Sequence, residues 1–164
     1  MEQPDQARAW RWLSGILAGL EVGVLGGLVM LGWFALDSVW HAQRWYAVPN
    51  LLGSTFYGNF AFRSGAGRVT ISGIALHLCA SGALGAAFGF VAPRGQSPLR
   101  YLLLGVATGL VWYYLLFGAF WRFVNPLIPL YSSAREMVVA HALFGSCLSR
   151  WPRAERSLRR GPSG

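Results

Sequence analysis

The chain has no lysine and only six acidic residues beside its 14 arginines. Charged residues make up 12% of it, about half the roughly 25% of a soluble domain. So little charge argues against a water-soluble globular fold. Cysteine is scarce as well: Cys79 and Cys147 both lie inside apolar runs, so neither a disulfide framework nor a thiolate metal site is expected. Catalytic signatures are missing too. There is no P-loop, no GxGxxG followed by an acidic partner, no HExxH and no nucleophile elbow. With six acids and three histidines, a hydrolytic metal site would consume nearly all of them, so an enzyme is not expected.

What the chain has is apolar length. Hydrophobic residues account for 54% and mean hydropathy is +0.41, values that indicate a membrane protein. Four segments can cross about 30 Å of hydrocarbon as helices: about 13–35, 69–91, 101–123 and 134–150. The fourth is short in apolar residues and reaches span length only if its polar first turn lies in the interface. Ser133 with Glu136 has capping-box spacing at its start, and Ser97–Pro98 is a strong start for the third. The first span follows Arg8 and Arg11 as a signal peptide would, but its apolar stretch is too long and no small-x-small site follows. It reads as a retained helix. The expected fold is an all-α integral membrane protein of four helices, residues 1–152, in a compact glycine-packed bundle. A long aromatic loop, about Leu36–Arg68, lies outside between the first two helices. A flexible basic tail occupies 153–164.

Charge sets the orientation. Arg8, Arg11, Arg94, Arg100 and the five arginines of the C-terminal stretch fall on one side. Arg44, Arg63, Arg68, Arg122 and Arg135 fall on the other. By the positive-inside rule both termini are cytoplasmic, and a bacterial inner membrane is the expected setting. The net charge of +8 would suit nucleic acid, but the arginines border apolar spans, where they anchor. Membrane lipid is the expected partner and nucleic acid is not. The aromatic outer loop would lie along the membrane surface or meet a protein.

Small residues recur every four positions. Gly15, Gly19, Gly23 and Gly27 form one stripe of the first helix. Gly73, His77, Ser81, Gly85 and Gly89 form another, and His141, Gly145 and Ser149 a third. Such stripes let backbones approach closely in lipid. The two halves also share a faint order: GxxxG, then "VPNLL" or "VNPLI", then "ALHL" or "VAHAL", which suggests a parallel duplication.

Three ionisable residues interrupt the spans: Glu21, His77 and His141. Such residues usually face the bundle interior and are functional candidates. Both histidines lie about 12 Å below the outer surface and on small-residue stripes; Glu21 lies about 17 Å below it, within one helical turn of their level, and about 200° from Gly19. The stripes point the histidines at neighbouring helices, and Glu21 the other way. A carboxylate opposite the packing stripe needs cover, which favours a homo-oligomer or a place among other membrane subunits. The leading functional expectation is a non-catalytic accessory or scaffolding subunit of a larger membrane complex. Two alternatives stay open. One is a b-type haem electron-transfer subunit with His77 and His141 as axial ligands. The other is a small proton or solute transporter using Glu21 and the histidines as a polar network.

Overall fold

A computed structural model describes residues 3–160, with side chains from Arg8 onward. Among these residues every regular element is helical. Three helices are long and apolar enough to cross a membrane, within Arg8–Trp40, Arg68–Val91 and Pro98–Val124.

Helix α1 (Gln3–Trp40) has 38 residues, about 57 Å at 1.5 Å per residue, and so outruns the bilayer. The expected outer loop is largely helical. After a short turn come α2 (Ala47–Tyr57) and a 3-10 turn (Gly58–Arg63). α2 contains Pro49 and Gly53, which made this stretch look irregular. It holds because Pro49 sits in the first turn, where its missing N–H costs nothing, and because Pro49–Ser54 are buried. Then come α3 (Arg68–Val91) and α4 (Pro98–Leu115). Ser97 caps α4 by accepting the Arg100 N–H, with Pro98 at the first helical position. The apolar run of α4 continues through a π-helical turn (Leu116–Phe120) into α5 (Trp121–Val124).

The short α6 (Leu127–Tyr131) leads to α7 (Ala134–Leu148). Ser133 is the N-cap of α7, but its side chain makes no cap hydrogen bond, so the expected capping box does not form there. The expected flexible tail is instead helical as far as the structure describes it: α8 covers Trp151–Arg160. Two anchors order it. Trp151 is fully buried and donates its indole N–H to the Gly15 carbonyl at 2.9 Å. Glu155, also buried, accepts from Arg94 at 2.9 Å. The tail's last residues, 161–164, lie outside the described residues.

Helix α1 packs against both α3 and α7; α2 covers α3, and α4 lies on α7. α3 and α4 have no substantial contact, so the ring of long helices is open on that side.

The α1–α3 contact has one register. A Cβ on Gly15 would run into the Gly89 carbonyl, one on Gly19 into the Gly85 carbonyl, and one on Gly23 into the Ser81 carbonyl. The α4–α7 contact repeats this, with Gly105 against the Gly145 carbonyl and Gly109 against the His141 carbonyl. Only a hydrogen fits at these points. Gly73 differs from the rest of its stripe: it meets the Pro49 carbonyl of α2 and not α1.

Gly85→Ala should destabilise the protein by about 1–3 kcal/mol, because the atoms it strikes are the backbone of Gly19 and Gly23 and cannot swing aside. Gly32→Ala, where nothing lies within 4 Å, should be neutral or slightly stabilising through helix propensity. Denaturant titration of helicity in micelles compares the two.

Candidate functional site

The four-residue periodicity puts His77 and His141 on the inner faces of α3 and α7. They are 8% and 5% exposed, and both line one apolar cavity of about 240 Å³. Phe34 of α1, Leu84 of α3 and Phe144 of α7 form much of its wall. Leu116, Phe117 and Phe120 come from the π-helical turn. Such turns shift side-chain direction within a helix and concentrate at functional sites. Hydropathy gave no sign of this one.

Each imidazole is held by one backbone carbonyl. His77 donates Nε2–H to Gly27 O of α1 at 3.0 Å. His141 donates Nδ1–H to Met137 O, one turn back in α7, at 2.8 Å. A carbonyl can only accept, so these bonds fix where each ring carries its proton. His77 thus continues the glycine register: it is the next rung of α3 after Ser81, bonded to the next rung of α1 after Gly23. The rings are steadied by edge-on contacts, His77 with Phe34 at 6.0 Å and His141 with Tyr113 at 5.5 Å between centroids.

The remaining nitrogens, Nδ1 of His77 and Nε2 of His141, make no hydrogen bond to the protein. They are not sealed in either. Among the described residues the buried side-chain polar atoms with no partner are Trp112 Nε1 and Glu136 Oε1. The free nitrogens therefore retain accessible surface, and the free space beside these rings is the cavity.

Glu21 is not part of this site. It is exposed on the outward side of α1, as its angle from Gly19 predicts, so the expected network joining it to the histidines is not formed. The small residues singled out in the sequence otherwise divide by neighbour. Gly15, Gly19, Gly23 and Gly27 face α3; Ser81, Gly85 and Gly89 face α1; Gly145 faces Gly105 of α4.

Two asparagines matter more than the sequence suggested. Asn50 donates to the Ala61 and Ser64 carbonyls and accepts from Thr70 at 2.6 Å. Asn125 donates to Ser54 at 2.8 Å and Thr55 at 3.1 Å. Together they tie α2 to α3 and to the α5–α6 corner, elements that line the cavity. Their only sequence signal was the recurring Pro–Asn and Asn–Pro pair.

Beside this cavity lies a wider one of about 970 Å³, lined by Trp33, Trp40, Asp37, His41, Arg135 and Glu136, among others. Trp33 donates to the Glu136 carbonyl at 3.2 Å, and Asp37 pairs with His41 at 3.3 Å. Comparison with known proteins finds no match to this chain, whether family model, curated protein or solved structure.

Glu136→Gln should preserve or raise stability at neutral pH. It replaces a carboxylate whose Oε1 is buried without a partner by a neutral amide of the same shape. Thermal unfolding of the two proteins at one pH makes the comparison.

Proposed function

We propose that the protein is a four-span, glycine-packed membrane bundle acting as a non-catalytic accessory subunit of a larger membrane assembly. The fourth span is α7, with its polar first turn in the outer interface. Both termini lie on the arginine-rich, cytoplasmic side.

One observation carries this reading. Glu21 is exposed in the middle of the apolar length of α1. On the same face are Leu13, Leu17 and Leu28, 45%, 40% and 52% exposed. A carboxylate left facing lipid at mid-span costs about 2.5–3.5 kcal/mol even on the lenient insertion scale. A neighbouring transmembrane helix that donates a hydrogen bond or a positive charge would remove that cost. The exposed aromatics of the outer side, among them Phe56, Phe60 and Tyr131, offer a second contact surface.

The haem reading is supported by the shared cavity but opposed by its chemistry. His77 spends Nε2, the nitrogen that points away from the backbone, on Gly27. A cavity of 240 Å³ is also tight for a porphyrin. The transporter reading is opposed by the separation of Glu21 from the histidines.

A photoreactive residue placed at Leu17 or Leu28 should crosslink in native membranes to one defined protein band. Glu21→Leu should weaken that crosslink several-fold. Crosslinks to lipid alone, together with a monomeric native mass, would contradict the proposal.

A further inference from the structure

The cavity between α1, α3, α7 and the π-helical turn has the features of a ligand site. It is enclosed mostly by aliphatic and aromatic side chains, and it holds two imidazole nitrogens that are more than nine-tenths buried as residues yet have no protein partner. Each of these nitrogens is an acceptor that a hydrogen-bond donor on a fitting ligand would satisfy. Ala83 of α3 and Phe120 of the π-helical turn line the cavity and are also exposed, so it opens sideways between these two elements. The residues along this opening, Ala80, Ala83, Leu116 and Phe120, are apolar. The ligand must therefore dissolve in lipid.

Its polar chemistry follows from the tautomers. The N–H of each ring is committed to a backbone carbonyl, so a neutral imidazole presents only an acceptor to the cavity. A matching molecule donates twice from one compact, flat core. A carbonyl or ether at those places would set acceptor against acceptor and leave both nitrogens unpaired. The flat core would lie among Phe34, Phe117 and Phe144, and an aliphatic tail would leave through the opening between α3 and the π-helical turn.

We propose that this cavity binds a membrane-dissolved hydroquinone, a ring with two hydroxyls and an aliphatic tail, through Nδ1 of His77 and Nε2 of His141. This is a binding site only; no electron transfer is implied, and it does not depend on the accessory-subunit reading.

The test is calorimetric titration of the full chain in nanodiscs with a decyl-substituted hydroquinone, and with its quinone and its bis-methyl ether. The three share tail and ring but differ in hydroxyl donors. The hydroquinone should bind saturably, one per chain. The ether and the quinone should each bind at least tenfold more weakly, given about fivefold to tenfold per hydrogen bond lost. His141→Phe should lose affinity for the hydroquinone and much of its preference over the ether. Equal binding of all three compounds, or no saturable binding of the hydroquinone to the unaltered protein, would overturn the proposal. Neither of those outcomes depends on a variant folding.

Discussion

The close approach of α1 to α3 is the constraint from which the rest of the structure follows. Backbone carbonyls of one helix lie where a Cβ of the other would be, at Gly15, Gly19 and Gly23 in succession. Lipid supplies no hydrophobic drive between helices, so contact of this kind must come from packing and from polar groups the helices share. The register that aligns the glycines also brings the His77 ring to the Gly27 carbonyl. A side chain that would be costly alone in hydrocarbon becomes the last rung of the contact. The α4–α7 pair repeats the arrangement on a smaller scale, with the backbone of His141 against Gly109.

Two tight pairs joined through α1 and α7 leave a gap where a third close contact would have been. The cavity lies where α3 faces the π-helical turn and α7. One end of it is lined by α2 and the α5–α6 corner, held by Asn50 and Asn125, and it opens sideways between α3 and the π-helical turn. The opposite end of the bundle is finished differently, by Trp151 and the Arg94–Glu155 pair, which hold α8 against α1. Arg94 also donates to the Arg11 carbonyl and lies over the Trp151 ring at 5.4 Å. One arginine thus ties the start of α1, the end of α3 and α8 together.

How much of this could be read from residues alone differs by element. The three long helices are plain in hydropathy, because nothing but a helix satisfies its own backbone in lipid. The four-residue spacing points His77 and His141 inward and Glu21 outward, since direction around a helix is fixed by geometry. α2 was not legible: Pro49, Asn50 and Gly53 are turn formers in isolation, and only burial against α3 and a bonded Asn50 make them helical. α8 was not legible because ten residues with four arginines resemble a solvated tail. Its order rests on Trp151 and Glu155, whose partners lie far away in sequence. The π-helical turn has no sequence mark at all, yet it brings three side chains to the cavity wall.

Two buried histidines, each tied to a carbonyl, line a common cavity and leave one bare nitrogen apiece. Nitrogen-15 NMR of histidine-labelled protein in lipid nanodiscs tests this arrangement most directly, with Phe replacements of single histidines giving the assignment. The account predicts opposite neutral tautomers: His77 protonated at Nε2 and bare at Nδ1, His141 protonated at Nδ1 and bare at Nε2. The same tautomer in both rings, or two doubly protonated rings, would contradict it.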